Sequence, residues 1–133
     1  MAQVYENGDV SLPTESVSIS SDITLYYDIT SDPGTFAVVF DIPNQFWAIG
    51  WGADMSDADV WTFEIVNNQV EIKDTQVSGH SAPTDDTNQD LTLVGYQIGV
   101  DSTTVKFTRP LDTTEVGDVV LEDRTAYNVI WAT

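Results

Sequence analysis

Apolar, aromatic and β-branched residues come along this chain in runs of five to eight, separated by clusters of Gly, Pro, Asn and Asp. That periodicity predicts strands almost everywhere and no helix. The predicted strands are Ser16 to Ser20, Ile23 to Ile29, Thr35 to Asp41, Gln45 to Trp51, Asp59 to Val66, Gln69 to Asp74, Leu91 to Ile98, Thr103 to Thr108 and Ala126 to Trp131. Nine or more such strands suggest an antiparallel β-sandwich. The punctuation agrees: Ser31-Asp32-Pro33-Gly34 turns the second run into the third, and Asn67-Asn68 predicts a two-residue hairpin between Val66 and Gln69, because Asn tolerates positive φ. Two stretches do not read as strands, Gly52 to Ala58 and the longer Ser78 to Gln89. Loops held by a rigid sandwich commonly carry binding residues, so site residues are expected there.

At 133 residues the chain has the size of one domain, 1–133, and its 41% hydrophobic content can offset the entropy of ordering it. Charge changes the picture most. Sixteen Asp and six Glu stand against Lys73, Lys106, Arg109 and Arg124, for a formal net charge of -18. Such a surface repels polyanions, which excludes nucleic acid and anionic membrane surfaces as partners. No cysteine is present, so disulfides, thiolate metal sites and cysteine nucleophiles are excluded. No apolar run is long enough to span a bilayer, and the start MAQVYENGDV lacks the basic and apolar regions of a signal peptide.

The candidate chemistry is narrow. His80 is the single histidine; Ser78 and Ser81 flank it, but no G-x-S-x-G elbow accompanies them, and one His cannot build a copper or zinc enzyme site. Among twenty-two carboxylates no pair singles itself out for glycoside hydrolysis, so no enzymatic activity is expected. Calcium is one cofactor expectation: Asp54, Asp57 and Asp59, and Asp85, Asp86 and Asp90, supply hard oxygen ligands without the EF-hand spacing, and Asx-turns explain them equally. Haem iron is the alternative, since Met and His are competent axial ligands. The run Phe46-Trp47-Ala48-Ile49-Gly50-Trp51-Gly52-Ala53-Asp54-Met55 is a bulky strand with a methionine just past it, although a gap-filling core role for Met55 is the ordinary reading. Trp47, Trp51, Trp61 and Trp131 fall on strands; at least two are expected in the core, and an outward one could stack on a sugar ring. Arg109, at a strand end before Pro110, is expected to pair with a carboxylate, or in the sharper reading with a haem propionate.

Six blocks then carry a resemblance in sequence order: Ile49-Gly50-Trp51-Gly52 with Met55-Ser56-Asp57-Ala58-Asp59-Val60; Ser78-Gly79-His80-Ser81-Ala82-Pro83; Asn88-Gln89-Asp90-Leu91-Thr92-Leu93; Val105-Lys106-Phe107-Thr108-Arg109-Pro110-Leu111; and Tyr127-Asn128-Val129-Ile130-Trp131-Ala132. Together they resemble the DOMON domain from about Ile23 to the end of the chain. The resemblance implies an immunoglobulin-like β-sandwich, secreted or facing outside the cytoplasm, similar to the cytochrome domain of cellobiose dehydrogenase and the N-terminal domain of dopamine β-monooxygenase. It implies either a haem b module that exchanges single electrons with a redox partner protein, or a module binding carbohydrate or another small ligand without a cofactor. A structural subunit assembling through strand edges is a third expectation. On the haem reading Met55 occupies the position of the family's axial methionine. The family's second ligand is a histidine beyond a block like Tyr127 to Ala132, where this sequence ends at Thr133, so His80 or a histidine outside this chain is expected to serve. Trp51 and Arg109 complete the expected cofactor-binding set with Met55 and His80.

Overall fold

The computed structural model describes residues 4–42, 45–51, 57–78, 84–85, 89–112 and 129–132. These form eleven strands and no helix: β1 (Tyr5–Gly8), β2 (Glu15–Ser20), β3 (Ile23–Asp28), β4 (Gly34–Phe40), β5 (Phe46–Trp51), β6 (Asp57–Val66), β7 (Gln69–Ser78), β8 (Thr84–Asp85), β9 (Thr92–Ile98), β10 (Thr103–Arg109) and β11 (Val129–Ala132). They pair into two antiparallel sheets, sheet A in the order β1-β9-β10-β4-β3-β2 and sheet B in the order β11-β5-β6-β7-β8. The all-β sandwich expected from the periodicity is the observed architecture.

Alternation decides which side chains lie between the sheets. From sheet A come Ile23 and Leu25, Phe36, Val38 and Phe40, and Val105 and Phe107; from sheet B come Trp47 and Ile49, and Trp61 and Phe63. The two inner faces meet through aromatic rings. Phe40 stacks on Trp47 at 4.5 Å between centroids, and Phe36 meets Trp61 edge-on at 5.4 Å, while Phe107 bridges Trp61 and Phe63 at 5.4 and 5.6 Å. Edge-to-face and stacked pairs of this kind each add about 0.5–1.5 kcal/mol beyond the area they bury.

Two strands escape the periodicity. β1 reads YENG and buries almost nothing, so its pairing with β9 is carried by the backbone and leaves no apolar signature. β8 is two residues long and sits inside the stretch read as a loop. Strands β6 and β7 also run further than predicted: Asp57 and Ala58 extend β6 against Ser78 and Val77, and Thr75 and Gln76 pair with Val60 and Asp59. Of the predicted last strand, Ala126 to Asn128 lie outside the described residues, and Val129–Ala132 pairs with β5.

The turns follow the local chemistry. Asn67 and Asn68 have φ of 53° and 62°, the double positive φ of a two-residue hairpin whose twist matches its strands. Replacing Asn68 by Gly should therefore stabilise the protein by about 0.5 kcal/mol, and Asn68→Val should cost about 1–2 kcal/mol, since a β-branched residue resists the left-handed region. Urea midpoints moving in opposite directions for the two variants would confirm it. After β3, Thr30 donates its backbone N–H and its hydroxyl to Asp28 Oδ1 at 3.0 and 2.6 Å. These bonds favour the ionised form and lower the Asp28 pKa, so their contribution persists above the ordinary carboxylate range and fades only as pH falls below it.

Candidate functional site

One end of the sandwich concentrates charge inside the core. On β6 the inward positions run Asp59, Trp61, Phe63, and on β10 they run Val105, Phe107, Arg109. Alternation thus carries a carboxylate and a guanidinium into the space between the sheets, one from each. Arg109 Nη2 lies 3.5 Å from Asp59 Oδ2, with both side chains essentially inaccessible to water. The expected carboxylate partner of Arg109 is Asp59. The guanidinium also donates from Nη1 to the Pro110 and Leu111 carbonyls at 3.0 and 3.4 Å, and its carbon sits 5.7 Å from the centre of the Trp61 ring. A planar cation with five donors can satisfy a carboxylate, two carbonyls and an aromatic face at once, which Lys cannot.

Trp51 joins this cluster from β5. It is the register partner of Asp59, and its ring packs on Trp61 at 4.9 Å between centroids. Trp61 is fully buried and Trp51 only half-buried, so Trp51 is the outer ring of a tilted pair, 58° between planes, whose inner ring faces Arg109. Opposite Arg109 on β4 stands Gly34, where a Cβ would come within 2.8 Å of Leu111 Cδ2. The missing side chain lets the segment after β10 close over this end, and Leu111 N–H donates to Asp32 Oδ1 at 3.2 Å.

A further buried carboxylate, Asp74 on β7, is the register partner of Trp61. Its backbone is clamped by Gln89, whose Oε1 accepts from Asp74 N–H at 2.8 Å and whose Nε2 donates to the Asp74 carbonyl at 2.9 Å. The Gln89 amide so extends the ladder that β8 makes with Thr75 and Gln76. Thr75 donates its hydroxyl to the Val60 carbonyl at 2.9 Å, tying β7 to β6 across the same level. Neither Asp74 nor Gln89 was singled out by sequence reasoning. The signal was present: Asp59 and Asp74 occupy inward positions of otherwise apolar alternations, where a charged residue has to be paired or hydrogen-bonded.

Of the expected cofactor residues, Trp51 and Arg109 are thus brought together, while Met55 and His80 lie outside the described residues. The described strand ends that flank them are neighbours, since Trp51 pairs with Asp59 and Asp57 pairs with Ser78. The calcium candidates divide: Asp54 and Asp86 lie outside the described residues, and Asp59 faces Arg109. Among the described residues no group of three or more His, Cys, Asp or Glu side chains is arranged to hold a metal ion. No helix among them is long and apolar enough to cross a membrane.

Compared with protein families, residues 19–133 match the DOMON domain. The chain belongs to the DOMON domain family. No curated protein matches it. The match covers ten of the eleven strands wholly or in part and the whole Trp51–Trp61–Arg109–Asp59 cluster; only β1, the following segment and most of β2 precede it. Within this DOMON domain the tryptophans divide by burial: Trp47 and Trp61 are core, Trp51 is half-buried, and Trp131 is 51% exposed on edge strand β11.

Proposed function

We propose that this DOMON domain is a non-catalytic haem b carrier that passes single electrons to a redox partner protein outside the cytoplasm, in which Met55 and His80 would hold the iron and Trp51 would form the apolar wall. The observation that carries this reading is the half-buried Trp51, backed by Trp61 and the Arg109–Asp59 pair, at the sheet end from which the chain leaves toward Met55 and returns from it. A flat macrocycle needs a large, rigid, partly exposed apolar surface with soft or imidazole donors nearby, and that combination of residue types fits it. Bound haem would supply one-electron chemistry at its iron. The chain's own part is to hold Trp51 against Trp61 so that the wall does not yield, and to keep water from the face it covers. Arg109 acts from behind, fixing Trp61 through its ring face while its charge is engaged by Asp59.

Visible spectra of the full chain, alone and with added hemin in both redox states, test the proposal. Wild type should show sharp reduced-state bands, which Met55→Leu and His80→Ala each abolish or shift to a five-coordinate form. Weak hemin uptake that neither variant alters would sink the haem reading.

Trp131 favours a second reading, a carbohydrate-binding module without cofactor, because its exposed indole offers a stacking face for a sugar ring. In that case glycan-array binding should survive Met55→Leu and disappear in Trp131→Ala.

A further inference from the structure

Residues 9–14, which precede the family match, form a strap across the outer face of sheet A. β1 lies on one edge of that sheet and β2 on the other, and register links Gly8 to Gly95, Gly95 to Lys106, Lys106 to Ala37, Ala37 to Tyr26 and Tyr26 to Ser16 in one row. Five strand spacings make that row about 24 Å long, and the eight Cα steps from Gly8 to Ser16 reach about 27 Å when extended. The connection is therefore nearly taut.

Its path is cut into the sheet. A Cβ on Gly95 would come within 2.4 Å of the Asp9 carbonyl oxygen and 2.6 Å of its nitrogen, so the strap lies directly on the bare backbone there. Gly8 turns the chain onto the face at a φ of 75°. Next in the row, Lys106 Nζ pairs with Asp9 Oδ2 at 2.8 Å and donates to Ser11 Oγ at 2.9 Å. The Lys106 ammonium and two hydrogen bonds from Ser11 hold the Asp9 carboxyl well below the usual carboxylate range. Ala37 is fully buried although it faces away from the core.

The strap is held mainly by polar contacts and buries no apolar side chain fully: Tyr5, Val10 and Pro13 are half-buried, and Leu12 and Val4 are 46% and 51% exposed. The strand positions of the face it crosses include Ser16, Thr24, Thr35, Thr104 and Thr108, and Lys106 stands on the same face as Glu6 and Asp28.

We propose that residues 4–11 exchange between two copies of this chain, each β1 adding to the other copy's β9 and each Asp9 reaching the other copy's Lys106, with Leu12 to Thr14 as the hinge. A short taut connection favours exchange, because the intramolecular form gains little from closeness that it cannot relax into. Pro13 keeps Leu12 extended and so keeps the hinge open. Polar anchorage lets the segment leave one copy and make identical contacts in the other.

The chain has no cysteine, so Glu6→Cys/Gln97→Cys places a unique pair on register partners of β1 and β9. Oxidised at millimolar protein and 1 M salt, this variant should yield a covalent dimer, at least tenfold less of it at micromolar protein, and less at low salt, where the two acidic bodies repel. Either single-cysteine variant should yield none. Inserting four Gly/Ser residues after Pro13 slackens the strap and should cut the dimer at least fivefold. An intramolecular disulfide under every condition, equal dimer from a single-cysteine variant, or a dimer indifferent to the insertion would each overturn the exchange.

Discussion

Replacing Arg109 by Leu is expected to cost about 3–5 kcal/mol of folding stability, the loss seen when one member of a buried ion pair is removed. The cost comes from what remains. Asp59 stays between the sheets with its main charged neighbour gone, and Trp61 loses the planar group against its ring. The Pro110 and Leu111 carbonyls lose their donor as well. Adding Asp59→Asn to Arg109→Leu should recover a large part of the loss, because a neutral amide costs far less to bury than a carboxylate. Urea unfolding of the wild type, both single variants and the double variant measures this. A loss below about 1 kcal/mol for Arg109→Leu would mean that the pair does not hold this end of the sandwich together.

Trp61→Ala should be comparably severe, about 3–5 kcal/mol, since it empties the point where Phe36, Phe107, Trp51 and Arg109 converge. Trp51→Ala should cost less, about 1–2 kcal/mol, because part of that ring is already exposed to water. The two variants separate structure from ligand binding. Trp51→Ala should remain folded by near-ultraviolet circular dichroism and lose hemin affinity at least tenfold, whereas Trp61→Ala should lose its thermal transition first. Equal destabilisation by both, with hemin affinity unchanged in Trp51→Ala, would remove Trp51 from the binding surface.

The strands legible in the sequence were those with an apolar face. Phe36-Val38-Phe40 and Val105-Phe107 alternate cleanly because one side must exclude water, and the Asn67-Asn68 hairpin was legible because few other residues accept two positive φ values in a row. β1 was illegible for the opposite reason: pairing through backbone alone puts no demand on side-chain type, and YENG reads as loop. The outer ends of β6 and β7, Asp57-Ala58 and Thr75 to Ser78, lack a clean apolar alternation and were hidden in the same way. At the site, Trp51 and Arg109 stood out by type, while the partnership between Asp59 and Arg109 joins residues fifty positions apart on different sheets.

By itself, then, the sequence determined the β-sandwich, its turns, its family and its strongly acidic charge, because each of these depends on local periodicity, backbone preference or summed charge. Only the tertiary structure decided which carboxylate pairs with Arg109, which tryptophans are core and which are partly exposed, and that the segment after the first strand crosses a face to reach the second. Those outcomes depend on register and on the stacking of two sheets, which bring together residues that no spacing along the chain relates.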